Sequence, residues 1–167
     1  MIRVAVTGPE SSGKTTLSKE LCQALSEAYV LEYAREYLEQ REGKYDEKDL
    51  DEIAEGQLAL FRKHTGNVLI ADTDFTVLKV WSEVKYGKVS DHLIEIDENF
   101  QFDLYLLCLP DIPWEPDLLR ENPNDRWELV EHYRKALSEK VCPVIEISGS
   151  REERFQTAIE AIRALMK

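Results

Sequence analysis

Apolar residues fall along this 167-residue chain in short dense runs separated by stretches of helical spacing. Ile2 to Thr7 is an apolar, β-branched run suited to a buried parallel strand, and Leu17, Leu21, Ala24 and Leu25 then recur at helical intervals. Tyr29 to Tyr33 reads as a short second strand. Helices are expected to open at Ala34 to Glu39 and to span Asp46 to Lys63. Asn67 to Ala71 is a further apolar run, followed by helical patterns over Phe75 to Tyr86 and Asp91 to Phe100. Asp103 to Leu109 and Pro143 to Ile147 complete the strands, and Arg151 to Lys167 is a closing helix capped by Ser148 or Ser150. Strands alternating with helices predict a three-layer α/β/α fold around a parallel sheet of roughly five strands. No linker or repeat divides residues 1–167, so one domain is expected.

The turn between the first strand and the first helix carries the chemistry. Gly8-Pro9-Glu10-Ser11-Ser12-Gly13-Lys14-Thr15 fits the P-loop pattern G-x-x-x-x-G-K-[ST] in its required strand-to-helix setting. Glycines there let successive backbone N–H groups turn around an anion, and the helix N-terminus adds its positive end. Gly8, Glu10, Ser11, Ser12, Gly13, Lys14, Thr15 and Thr16 are the expected phosphate-binding residues. Lys14 reaches the β- and γ-phosphates of ATP, and the Thr15 hydroxyl ligates Mg²⁺. This is the P-loop NTPase fold.

Charge and cysteine usage narrow the alternatives. The formal net charge of −12 argues against non-specific attraction to nucleic acid or anionic lipid, but not against a nucleotide held by a local cluster of donors. No apolar run reaches the length of a membrane span, and the N-terminal strand leaves no room for a signal peptide, so a cytoplasmic protein is expected. Cys22, Cys108 and Cys142 lack ligand spacing and read as buried inert thiols, while His64, His92 and His132 are scattered. The acidic run from Asp46 to Glu55 reads as a solvated helix face.

Carboxylates at strand tips supply the remaining candidates. Asp72 and Asp74, two residues apart after the Asn67 to Ala71 run, are expected to face one sheet edge, Asp72 for Mg²⁺ and Asp74 for the acceptor. Glu32, at the end of the second strand, is the candidate general base, with Arg35 as a contact to the γ-phosphate or the acceptor. Between Pro110 and Asp125, Pro110, Pro113, Pro116 and Pro123 interrupt helix. The segment 110–126 therefore reads as a mobile lid at the carboxyl edge of the sheet, its Arg120 and Arg126 closing over the triphosphate.

Taken together, GPESSGKT at Gly8 to Thr15, EYAR at Glu32 to Arg35, ADTDF at Ala71 to Phe75, Val80-Trp81-Ser82-Glu83 leading to Tyr86-Gly87, and Trp114 with Asp117-Leu118-Leu119-Arg120 resemble segments of the ribosylnicotinamide kinase domain of NadR-type proteins, nearly end to end. The resemblance implies ATP-dependent phosphorylation of the ribose 5'-hydroxyl of nicotinamide riboside to nicotinamide mononucleotide. It implies that Lys14 and Thr15 serve ATP and magnesium, that Asp72 or Asp74 serves metal or ribose, and that Arg120 lies in the lid. The longer members carry further domains before the kinase, so this chain is expected to make the mononucleotide only. Some relatives place a tryptophan where this chain has Leu31.

A cationic nicotinamide ring calls for aromatic faces and carboxylates. Tyr33, Trp81 and Trp114, with Glu32, Arg35 and Asp74, are the expected acceptor contacts; Tyr37, Phe61 and Tyr86 are further aromatics within the matched region. Two other functions fit the motifs: a kinase for another nucleoside or small alcohol, and a nucleotide-dependent switch. The guanine signature Asn-Lys-x-Asp is absent, which favours adenine.

Overall fold

In the computed structural model, which describes residues 1–117, 120 and 124–167, four parallel strands form one sheet. They are β1 (Ile2–Thr7), β2 (Val68–Asp72), β3 (Leu104–Cys108) and β4 (Val144–Ile147), in the order β2-β1-β3-β4. Val6 pairs with Asp72, Thr7 with Leu107 and Cys108 with Ile147, so the strand tips are level at the carboxyl edge. The chain passes from β1 to β2 on one side and on to β3 on the other. That reversal opens a crevice at the tip of β1, where open α/β sheets take ligands.

Among the described residues seven helices cover the sheet: α1 (Lys14–Leu25), α2 (Tyr33–Gln40), α3 (Glu47–Lys63), α4 (Phe75–Tyr86), α5 (Asp91–Asn99), α6 (Arg126–Ser138) and α7 (Arg151–Leu165). Strand parity explains the layering. Val4, Val6, Val68, Ile70, Leu104 and Leu106 pack under α1 and α7 with Leu17, Leu21 and Ile159. The alternate residues Ala5, Leu69, Ala71, Tyr105 and Leu107 face α2 to α6. There Phe61 stacks on Phe100 at 5.4 Å and meets Phe75 edge-on at 5.7 Å. Both faces are buried, as the β-branched runs require.

Two expectations need correction. The sheet has four strands rather than five, because Tyr29 to Tyr33 does not extend: among the described residues it makes one parallel bridge, Val30 to Ala71, before α2 begins. Glu32 therefore precedes a helix instead of ending a strand. Second, α6 is not among the expected elements. Val130, Tyr133 and Leu137 form its buried stripe, and the prolines just before it draw attention away from that pattern. Arg126 opens this helix rather than belonging to a loop.

Asp46 caps α3 in a reciprocal capping box with Asp49, and Ser150 caps α7 in another with Glu153. The acidic start of α3 thus helps build the helix, and the Tyr37 hydroxyl donates to Asp49 and Glu52 at 2.6 and 2.9 Å. Cys22 and Cys108 are buried, which pushes their thiols up to about 11 and about 12, whereas Cys142 is half-buried. Among the described residues no helix is long and apolar enough to cross a membrane.

Candidate active site

The loop between β1 and α1 is a cradle of backbone amides in which the carbonyls of Gly8, Pro9, Ser11 and Ser12 are each held by a side chain. Gly8, Ser11 and Gly13 adopt positive φ of 131°, 52° and 83°, the left-handed turns that aim N–H groups inward. At Gly8 a side chain is impossible, since a Cβ would lie 2.5 Å from the Cys108 carbonyl oxygen. The Lys14 ammonium donates to the carbonyls of Gly8 and Pro9 at 2.9 and 2.7 Å, and the Ser12 hydroxyl donates to Pro9 at 2.7 Å. Two guanidinium groups take the next carbonyls: Arg126 holds Ser11 at 2.9 Å and Arg154 holds Ser12 at 2.9 Å. The first turn of α1 carries no acidic residue, so no side chain of its own offsets its positive end.

Arg154 is the deepest of these cations. Only 6 % exposed, it also donates to the carbonyls of Gly149 at 3.0 Å and Leu109 at 2.8 Å and is paired with Asp111. One side chain on α7 therefore joins the P-loop to the loops after β3 and β4. Sequence analysis missed it, although it shares the i, i+4, i+8 stripe of Ala158 and Ile162, which are buried.

A cleft of about 600 Å³ runs from this cradle to a second, more apolar half. Gly8, Glu10, Ser11, Ser12, Gly13, Lys14, Thr15 and Thr16 line one end; Leu38, Tyr45, Val80, Trp81, Val84 and Lys85 line the other. Glu32, Arg35 and Arg120 line the same cleft. In the far half the Tyr45 and Trp81 rings meet edge-on at 4.8 Å, and Trp81 Nε1 donates to the Tyr45 hydroxyl at 2.8 Å. The Lys85 ammonium also donates to that hydroxyl and lies 4.0 Å from the Tyr45 ring centre. Tyr45, between two helices, and Lys85, at the end of α4, give no sequence signal of this role.

Glu32 sits where charges converge. Burial pushes its carboxyl above the ordinary carboxylate range, the Asp72 charge pushes it further, and Lys14, Arg35 and a bond from Thr73 only partly offset this. Lys14, Glu32 and Asp72, from three separate elements, are thus within electrostatic reach of one another.

Asp72 and Asp74 do not face the same way. Thr73 takes φ 78°, a strained conformation for a β-branched residue, and turns the chain between them. Asp72, 1 % exposed at the tip of β2, keeps the parity of Val68 and Ile70 and accepts a 2.5 Å hydrogen bond from the Tyr29 hydroxyl on Oδ2. Its Oδ1 is buried without a hydrogen-bond partner. Asp74 instead caps α4, Oδ2 accepting from Thr76 N–H at 3.0 Å, and burial raises its carboxyl.

The other expected contacts divide in the same manner. Tyr33 packs against α3 and Tyr37, its ring centroid 6.0 Å from that of Tyr37, and does not line the cleft. Trp114 is also off the cleft, its Nε1 buried without a partner. In this structure Tyr33, Asp74 and Trp114 stand off the residues that line the cleft, Tyr33 in packing and Asp74 as a cap. The Arg126 guanidinium donates to the carbonyls of Ser11 and Ile112. Arg120 does line the cleft and donates to the Glu115 carbonyl, while Arg35 pairs with Asp117 at 3.3 Å. Glu115 N–H donates to Ser11 Oγ at 2.9 Å, which ties the 110–125 segment to the P-loop. Leu118, Leu119 and Pro123 of that segment lie outside the described residues.

Among the described residues no three His, Cys, Asp or Glu side chains form a metal-binding group. A magnesium ion shared between protein and phosphates needs only one or two protein oxygens. Thr15, in the cleft wall, and Asp72, which does not line the cleft but keeps Oδ1 without a partner, are oxygen donors of the hard kind that magnesium takes.

A parallel sheet with a left-handed amide cradle at its switch point, and a charged cleft leading from it, defines a three-layer P-loop nucleotide-binding protein. The chain belongs to the AAA domain family, whose profile matches residues 3–154. It is 28% identical over 174 residues to the trifunctional NAD biosynthesis/regulator protein NadR of Escherichia coli strain K12, covering 98% of this chain and 42% of that protein. Two crystal structures of a NadR protein also align with it at 22% identity over 98% of the chain: a complex with NAD and AMP-PNP, with a TM-score of 0.80 over 49% of that chain, and a complex with NR, with a TM-score of 0.79 over 50%. The NadR-type resemblance seen in the motifs thus extends along the whole chain, which spans about two fifths of the length of the curated relative.

Proposed function

We propose that this chain is an ATP-dependent kinase that phosphorylates the ribose 5'-hydroxyl of nicotinamide riboside to give nicotinamide mononucleotide. The observation that carries this reading is Glu32 on the wall of the cleft that the Lys14 cradle and the Tyr45–Trp81 pair also line, with burial raising its carboxyl above the ordinary carboxylate range. A base at that point takes the hydroxyl proton as the oxygen bonds to the γ-phosphorus and the bond from that phosphorus to the β–γ bridging oxygen breaks, ADP leaving. Phosphoryl transfer itself needs little beyond positioning and charge stabilisation, which Lys14, the P-loop amides and Arg120 supply.

Magnesium, bound through Thr15 and through Asp72 directly or by a water, would neutralise charge across the β- and γ-phosphates. Asp72 has the free oxygen for it, and Tyr29 holds the other. Support for the acceptor comes from the relatives: a NadR complex with NR shares the fold, and the NAD biosynthesis protein of Escherichia coli aligns with nearly all of the chain.

One observation favours a second reading. The Tyr45–Trp81 ring pair offers an aromatic face to any nucleoside base, neutral as well as cationic. Mass detection of a product about 80 Da heavier than each offered nucleoside, the increment of one phosphoryl group, separates the two. Nicotinamide riboside is expected to be converted fastest; a purine or pyrimidine nucleoside preferred over it selects the second reading, and ATP binding with no phosphorylated product from any nucleoside overturns both.

A further inference from the structure

We infer that Gln57 is the positioning residue for Glu32, its carboxamide bridging the peptide groups on either side of that carboxylate and replacing strand pairing that the chain does not make there. The inference rests on the reading of Glu32 given above. After the Val30 to Ala71 bridge the chain has no sheet partner among the described residues, yet Glu32 is extended, with φ −72° and ψ 108°, and makes no side-chain bond to cap α2. Residues at strand tips are ordinarily aimed by ladder bonds on their flanking peptides. Here both bonds come from α3.

Gln57 is 3 % exposed. Its Oε1 accepts from Tyr33 N–H at 2.8 Å, and its Nε2 donates to the Leu31 carbonyl at 3.3 Å. The first of these satisfies an amide that α2 leaves without an intrahelical partner. Next to it, Gly56 lets the Tyr33 ring lie against the bare helix backbone: a Cβ there would fall 2.2 Å from Tyr33 Cε1. Glycine within a helix is unfavourable, and an amide on the apolar stripe of Ile53, Ala54 and Phe61 is costly to bury unless bonded. Two such residues side by side, both acting on Leu31 to Tyr33, are accounted for by a clamp that directs the Glu32 side chain toward Lys14 and Asp72.

A double-variant cycle tests this, using acceptor-dependent turnover of the full chain. Gln57→Met, close in volume but unable to make either bond, is expected to lower kcat at least about tenfold while ATP affinity changes less than about threefold. In the Glu32→Gln background the same substitution is expected to cost no further kcat, because the group it positions is gone. Gly56→Ala, which strengthens the helix but displaces Tyr33, should reproduce the pattern and guards against a folding defect in Gln57→Met. Losses that multiply in the double variant, or folded Gln57→Met and Gly56→Ala proteins at full kcat, overturn the inference alone. A Glu32→Gln protein at full rate overturns the assignment of Glu32 and the inference together.

Discussion

The Tyr29 hydroxyl donates a 2.5 Å hydrogen bond to Asp72 Oδ2, leaving Oδ1 as the free atom of that carboxylate at the tip of β2. Tyr29 lies just after α1 and Asp72 ends a strand paired to β1, so the bond links the P-loop helix region to the aspartate. Partners that orient a ligating carboxylate typically change metal affinity by about 10- to 100-fold when removed. Tyr29→Phe is therefore expected to raise the Mg²⁺ concentration for half-maximal turnover by about tenfold, with ATP saturating. Titration of the rate with MgCl₂ checks it; an unchanged midpoint would mean that Asp72 is held well enough by the sheet.

Glu32 links activity and stability with opposite signs. As a base it must be ionised, so kcat should climb with pH through its raised pKa, above the usual carboxylate range, and then level off. Glu32→Gln should lower kcat by about 10²- to 10⁴-fold and abolish that limb. For folding, a carboxyl raised in the native state binds its proton there longer than in the unfolded chain. Stability then falls as pH rises from the ordinary glutamate value to the raised one, and stays lower above it. Glu32→Gln removes this loss, so its denaturant midpoint should exceed the wild type's at pH 7 but not at pH 4. Asp74, raised by burial, leaves a residual slope in the same direction.

Arg154 should matter to stability and nucleotide binding together. Its guanidinium satisfies three backbone carbonyls and the Asp111 carboxylate while almost fully buried. Breaking a buried charge pair by removing one partner costs about 3–5 kcal/mol. Arg154→Met should lower Tm by roughly 6–20 °C, at about 2–4 °C per kcal/mol for a chain of this size, and weaken ATP binding at temperatures where it stays folded. Lys14→Met, by contrast, should lose ATP affinity with a smaller change in Tm, because the hydrogen bonds of Lys14 go to two carbonyls of its own loop at the cleft surface. Thermal melts with and without ATP distinguish the two.

A second buried cluster lies away from the cleft. Asp97, 2 % exposed, accepts from Lys79 at 2.8 Å and from Lys140 at 2.6 and 2.7 Å, tying α4, α5 and the end of α6 together. Asp97→Ala leaves two cations facing each other, so a loss of about 3–5 kcal/mol is expected by chemical denaturation, with kcat at 25 °C close to wild type. A large fall in kcat for the folded variant would place this cluster in the reaction.

Three of the polar residues that organise the interior share one sequence property. Gln57, Asp97 and Arg154 each stand on the apolar stripe of a helix, among Ile53 and Phe61, Leu93 and Ile96, and Ala158 and Ile162. A polar side chain at such a position must find partners inside, but helical spacing cannot say which. The P-loop is legible for the opposite reason: its partners are its own backbone, so local spacing carries the geometry.

Local pattern by itself determined the strand runs of a two-sided parallel sheet, the cradle at Gly8 to Thr15, and a serine cap just before Arg151, since each depends on residues within a few positions of one another. Tertiary structure decided what depends on distant chain segments meeting. The Tyr29 to Tyr33 stretch found one bridge instead of a ladder, Thr73 turned Asp72 and Asp74 apart, Arg126 was taken by loop carbonyls, and Tyr45 with Lys85 reached the far half of the cleft. Hydrophobic periodicity specifies which face of an element is buried, whereas hydrogen bonds between elements select which polar atoms end up within 3 Å, and only the packed chain sets those distances.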